Sequence, residues 1–183
     1  MYPVIRMLWQ VAKYRNAPRL PLTGTHLSSH YCLPWDIDLW MELNNGRTLT
    51  LYDLGRIPLA QRAGLIKVLR RKGWGLTMAG ASVRYRRRIR PFERIEMRSR
   101  VICWDERFIY LEQSMWNKDG DCANHILYRA AVTERAGIVP PARILEAFER
   151  RTDPPEMPDW VAAWIAADAA RPWPPFQDAI AQE

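Results

Sequence analysis

The sequence predicts an α+β fold in which a curved antiparallel sheet of five to six strands wraps one long central helix. Three observations lead there. A short stretch of two-residue alternation between Leu22 and Leu33 precedes a long helical pattern. At Trp74 the period switches to two and stays there to Thr133, with turn signals between runs but little room for intervening helices. The chain has 183 residues, 48% of them hydrophobic and 11% aromatic, which is enough for one domain with a sizeable core and excludes a disordered chain.

The elements follow in order. In residues 1–21, Val4, Ile5, Leu8, Trp9 and Ala12 recur at helical spacing beside Arg6 and Lys13. This segment lacks the long apolar stretch and small-residue cleavage site of a secretory leader, and no apolar run in the chain is long enough to span a bilayer. It reads as an amphipathic helix packed on its own domain in preference to a membrane surface. In Leu22–Leu33, Leu27, Ser29, Tyr31 and Leu33 share one side and His26, Ser28 and His30 the other, as in a strand. Pro34-Trp35 breaks it, and residues 36–45 form a loop rich in carboxylates and amides. From Asn45, helical spacing aligns Leu49, Tyr52, Asp53 and Arg56 until Pro58, which is expected to restart the helix at a first-turn position. Leu59 to Lys72 is amphipathic and ends on Arg70, Arg71 and Lys72, which suit the negative end of the helix dipole, with Gly73 as a left-handed cap.

Beyond Gly73, Ala81, Val83, Tyr85, Arg87 and Ile89 alternate with Ser82, Arg84, Arg86, Arg88 and Arg90. Pro91-Phe92 breaks this run, and Ile95, Met97, Ser99, Val101 and Cys103 begin another. Asp105-Glu106 turns into Phe108–Trp116, and Lys118-Asp119-Gly120 is a hairpin signal because Asp-Gly accommodates positive φ. Ala123–Thr133 is the last long run, and Pro140-Pro141 opens a closing helix through Arg150. The division expected is therefore an N-terminal segment over 1–21, one domain over 22–150 and a Pro- and Trp-rich tail over 151–183 with a helix at Asp159–Ala170. Trp160, Trp164 and Trp173 imply that the tail packs onto the domain or a partner subunit.

The net charge of +7 and pI of about 9.7 predict attraction to polyanions, whether nucleic acid, anionic lipid or CoA phosphates. Cys32, Cys103 and Cys122 form no CxxC pair and cannot all pair internally, which argues against a disulfide framework or a zinc site and fits a reducing cytoplasm. They read as buried small hydrophobes. His26, His30 and His125 read as structural hydrogen-bonding groups, without a metal.

The segment that carries chemistry runs from Trp35 to Arg47, where Asp36, Asp38, Glu42, Asn44 and Asn45 meet at a strand-to-helix junction. A helix start presents unpaired N–H groups and the positive end of the dipole, so it can bind an anion or polarise a carbonyl. The same residues also suit a plain helix cap, Asn44, flanked by solvated loop acids. The stretch resembles the Asp-x-Asp-x-x-x-His-x-Asn-Asn-x-Arg-Tyr pattern of hotdog thioesterase-like proteins, the 4-hydroxybenzoyl-CoA thioesterase-like family, with Asp36, Asp38, Asn44, Asn45 and Arg47 matching. Ala79 through Pro91 to Ile102, Trp104-Asp105 and Tyr110-Leu111-Glu112 are similar to that family's sheet, so the resemblance covers roughly residues 22 to 150.

The resemblance implies a hotdog fold and an acyl-CoA thioesterase-like hydrolase. It gives Asp38 the role of nucleophile or general base at the thioester, and the backbone N–H of Asn45 that of polarising the carbonyl. Glu42 stands where the family has His and Thr48 where it has Tyr, so Glu42 becomes a second candidate acid or base, or a sign of lost activity. Asn44 and Trp40 are candidate substrate-binding residues, with Met41 and Met78 as further candidates to line an acyl pocket. Strand alternation places Arg84, Arg86, Arg88 and Arg90 on one face, where they can hold CoA phosphates or form a solvated basic surface. Only Tyr85 is interleaved, which disfavours a nucleic-acid platform. The expected partners are an acyl-CoA substrate, with no separate cofactor, and a second copy of the chain in a homodimer or dimer of dimers. The alternative is a non-catalytic hotdog protein that binds acyl-CoA or lipid.

Overall fold

The computed structural model describes residues 2–148 and 154–174. Helix α1 (Val4–Lys13) leads to strand β1 (His26–Tyr31), and a single 3-10 turn at Pro34–Asp36 precedes helices α2 (Asn45–Ala63) and α3 (Leu65–Lys72). Strands β2 (Gly75–Tyr85), β3 (Arg94–Trp104), β4 (Ile109–Trp116), β5 (Cys122–Glu134) and β6 (Gly137–Val139) follow, then helices α4 (Pro141–Ala147) and α5 (Asp159–Ala169). One antiparallel sheet has the order β1-β3-β4-β5-β2, with short β6 paired to β5. None of the described helices is long and apolar enough to cross a membrane.

The core forms where α2 lies on the inner face of the sheet. Leu51, Tyr52, Leu54 and Leu59 of the helix meet Ile95, Met97, Met115 and Ile126 of β3, β4 and β5, all fully or almost fully buried. The approach is close at Gly55, where a Cβ would meet Met97 Sδ and Ser99 Oγ at 2.6 Å. Only glycine lets the helix sit this near β3. The expected helix restart at Pro58 does not occur, because α2 runs through this buried proline and breaks at Gly64, whose φ of +89° caps α2 and opens α3. Gly73 closes α3 in the left-handed conformation, as its position predicts.

β1 alternates as expected, but the inward side is the polar one. His26, Ser28 and His30 are buried, while Leu27 and Tyr31 are exposed. The reason is α1, which packs on α2 and reaches β1 through side chains. Arg6 donates to the Tyr31 carbonyl at 2.8 Å, Tyr14 donates to the Leu27 carbonyl at 3.2 Å, and Gln10 is buried beneath the helix. His30 bonds Ser28 Oγ at 2.8 Å, and His26 Nδ1 lies 3.0 Å from Arg62. These contacts offset part of the cost of burying the rings.

β2 ends at Tyr85, earlier than the alternation predicts. The amides of Arg86 and Arg87 both donate to the Ala123 carbonyl, at 2.8 and 3.0 Å, so the one-to-one ladder cannot continue. The common face of Arg84, Arg86, Arg88 and Arg90 therefore does not form, and only Arg84 of the four lies in a strand. At the other end, α5 packs on the outer face of the sheet. Val161 is buried against Cys103, Tyr110 and Leu127, and Arg129 pairs with Asp168 while lying over the Trp164 ring. The tail thus packs through Trp160 and Trp164, the former beside His125, whereas Trp173 is 89% exposed. The expected boundary at residue 150 lies outside the described residues.

Candidate active site

Residues 37–43 fold into a small hairpin in front of α2. Ile37 and Leu43 form an antiparallel bridge, the Asp38 amide donates to the Glu42 carbonyl at 2.9 Å, and the Met41 amide donates to the Asp38 carbonyl at 3.2 Å. Met41 takes a φ of +58°, a left-handed conformation that disfavours a residue with a side chain. The hairpin is pinned to the segment between β2 and β3 by the Leu43 amide, which donates to the Ile89 carbonyl, and to the turn by the Asn44 amide, which donates to the Asp36 carbonyl.

The two aspartates of the motif have different surroundings. Asp36 is fully buried; one oxygen receives Arg47 Nη2 at 2.6 Å and Nε at 3.1 Å, and the other receives Arg6 at 2.5 Å and the Leu33 amide at 3.1 Å. Burial raises its pKa, but the hydrogen bonds from Arg47, the Leu33 amide and Arg6 outweigh this and hold the carboxyl below the ordinary range. Asp38 is half-buried, and its Oδ1 accepts the Trp40 amide at 2.9 Å. Its Oδ2 has no partner among the described residues.

Glu42 pairs with Arg88 Nε at 2.9 Å, which brings one residue of the arginine run to the hairpin. Asn44 is the N-cap of α2, its Oδ1 taking the Arg47 amide at 3.1 Å, so the amides of Asn45 and Gly46 remain as first-turn donors unpaired among the described residues. The Asn45 carbonyl accepts Tyr85 Oη at 3.2 Å, which ties the helix start to the end of β2. Thr48 is buried and its hydroxyl returns to the Asn44 carbonyl, so it contributes no group to the hairpin.

Asp38, Trp40, Glu42, Asn44, Asn45 and Arg88 therefore gather in or beside one hairpin. Arg84 lies elsewhere, on the outer face of the sheet beside Glu112, His125 and Trp160, because its side chain alternates with that of Tyr85. Arg86 is exposed at the strand end. Leu39, Trp40 and Met41 form the hairpin tip, 61–93% exposed. The apolar void expected for an acyl group lies towards the far end of α2 instead. About 70 Å³ is enclosed by Leu59, Ala63, Met78, Val101, Ile144 and Phe148, among others, and Met78 is the one proposed pocket residue that reaches it. That is roughly half the ~150 Å³ of a cavity that takes up benzene, so it holds only a few carbon atoms as it stands. Arg56 borders it, paired with Asp53 and lying 4.4 Å from the Tyr128 ring centroid.

The contacts that sequence reasoning missed are Arg6 on Asp36 and Tyr85 on Asn45, which join residues 30 and 40 positions apart. No local pattern marks either. Burial pushes the Cys32 and Cys103 thiols up to about 11 and raises that of Cys122, which keeps them protonated and weakly nucleophilic at neutral pH.

Comparison with known proteins agrees with the fold. The chain is 32% identical to Protein THEM6 of Xenopus laevis over 162 residues, 88% of this chain and 77% of that one. The YbaW probable thioesterase of Escherichia coli superposes with a TM-score of 0.63 at 12% identity, covering 68% of this chain and 96% of that one. Protein SAV2348 of Staphylococcus aureus, solved in complex with CoA, superposes with a TM-score of 0.56 at 12% identity, covering 88% and 95%. A family model described as the thioesterase-like superfamily matches residues 32–165, and with the sheet wrapped on α2 this chain is a hotdog-fold member of that superfamily.

Proposed function

We propose that the protein is an acyl-CoA thioesterase-like hydrolase in which Asp38 is the reacting carboxylate. The observation that carries this reading is the contrast between the two aspartates of the motif: among the described residues Asp38 keeps an oxygen without a partner, whereas Asp36 is clamped by two arginines. As a base, Asp38 would take a proton from water as its oxygen attacks the thioester carbonyl carbon, expelling the CoA thiolate. As a nucleophile it would form a mixed anhydride, which water then opens. In either route the Asn45 amide would stabilise the oxygen that gains negative charge, a contribution of about 10²–10³ in rate where such donors have been removed. Arg88, with Glu42 as its counter-ion, is the member of the arginine run placed to meet a CoA phosphate. CoA-bound relatives of the same fold support a CoA thioester as ligand. The reading requires no cofactor. The outer edge of β2, unpaired among the described residues, offers a row of backbone donors and acceptors to a second copy, and we place the homodimer there.

A panel of acyl-CoAs read by thiol release tests the proposal. Asp38→Asn should lower kcat/KM by about 10²-fold or more while leaving the melting temperature nearly unchanged. Full turnover by this variant removes Asp38 from the chemistry. The second reading, a non-hydrolytic acyl-CoA or lipid binder, is favoured by the engagement of Glu42 and Thr48 in structural contacts. Saturable acyl-CoA binding with no thiol release would establish it.

A further inference from the structure

We infer that the outer face of α1 docks on the surface of an anionic lipid bilayer. The inner face of the helix is covered: Met7 and Gln10 of that face are packed against the domain and Arg6 is held by Asp36. Its outer face is not. Val4, Ile5, Leu8 and Trp9 stand 54–84% exposed on consecutive turns, a contiguous apolar strip of a kind that soluble surfaces seldom leave uncovered. The expectation that this helix merely packs on its own domain thus accounts for only one of its two faces.

Charge selects the occupant. Residues 1–35 contain Arg6, Lys13, Arg15 and Arg19 and not one Asp or Glu. At the C-terminal end of the helix, Arg15 and Arg19 meet Lys67 and Arg71 around an open cleft of about 590 Å³ with no carboxylate among the described residues that line it. A second copy docked face to face would set these cations against each other, whereas phospholipid headgroups would neutralise them. An apolar strip with a Trp and flanking cations is the arrangement of a helix lying in the plane of a bilayer. The Arg6–Asp36 ion pair joins α1 to the base of the hairpin that bears Asp38, so docking would seat the candidate active site beside the membrane. The inference does not depend on that site being catalytic.

The experiment is sedimentation of the full chain with vesicles of phosphatidylcholine alone or of phosphatidylcholine and phosphatidylserine in equal parts. The protein should sediment with the mixed vesicles and remain in solution with the neutral ones, and raising the salt should release it. Leu8→Ser combined with Trp9→Ser should weaken partitioning about tenfold or more. Both side chains are exposed, and a thermal melt verifies that the fold persists. Arg15→Glu with Lys67→Glu provides an independent route, reducing binding to mixed vesicles only. Failure of the wild-type chain to bind mixed vesicles at low salt overturns the inference, as does wild-type binding by the Leu8/Trp9 variant. A dimer that dissociates in that variant, without vesicle binding, assigns the face to a second copy instead.

Discussion

At its N-terminal end α2 faces carboxylates, amides and water, whereas at its C-terminal end it closes over carbon. The first end has Asn44 as cap, two amides unpaired among the described residues and the half-buried Asp38; the second has Leu59 and Ala63 against Ile144 and Phe148 around a small void. One helix therefore carries both a polar end with free hydrogen-bonding capacity and an apolar end whose stability lies in packing. The same distinction recurs within the hairpin, where Asp36 has every oxygen engaged and Asp38 does not. Carboxylates two residues apart are thus separated into a clamped group and a half-buried one that accepts a single hydrogen bond among the described residues, by partners and not by residue type.

The largest expected effect comes from breaking the structural carboxylate. Asp36→Ala removes the buried carboxylate that Arg6 and Arg47 share and should cost about 3–5 kcal/mol, measured by denaturant unfolding. A loss under about 1 kcal/mol would erase the distinction from Asp38. At the apolar end, Leu59→Ala enlarges the void and should cost about 2–5 kcal/mol, with the value set by how far α4 can close over the gap. A loss of this size without any change in acyl-CoA preference would make the void a packing defect and not a specificity element.

A smaller and graded effect should appear with pH. Burial, with Arg62 nearby, lowers the pKa of His26 to about 4, and burial, with Arg6 nearby, lowers that of His30 to about 3. Unfolded histidines take up a proton near pH 6.5, so between that value and the folded ones the unfolded chain binds more protons and stability falls as the pH falls. The slope should approach about 1.4 kcal/mol per pH unit for each ring that stays neutral in the fold. Asp36 acts in the same direction further down, since its lowered pKa stabilises the fold above the unfolded value of 3.8 and that contribution disappears as the carboxyl protonates. Unfolding titrations at stepped pH check both, and removal of His30 by substitution with Asn should flatten the upper part of the curve.

Much of this molecule was legible in its residues. The strand alternation, the Asp-Gly turn, the Gly73 cap and the α5 helix followed from local chemistry, and the Asp36-to-Arg47 motif marked the helix start. Pro58 misled because packing of Leu54, Gly55 and Leu59 holds α2 together across a residue that disfavours a helix interior. The arginine face misled because alternation presumes a regular ladder, and the shared Ala123 carbonyl ends it.

The sequence by itself determined the order and type of the elements and the location of the carboxylate-rich junction, because these depend on periodicity and on groups a few residues apart. Only the tertiary structure decided which aspartate is clamped, which histidines are buried and which face of α1 remains open. Those outcomes depend on Arg6 reaching Asp36, Arg6 reaching Tyr31 and Arg88 reaching Glu42, and contacts across 25 or more residues leave no trace in local spacing.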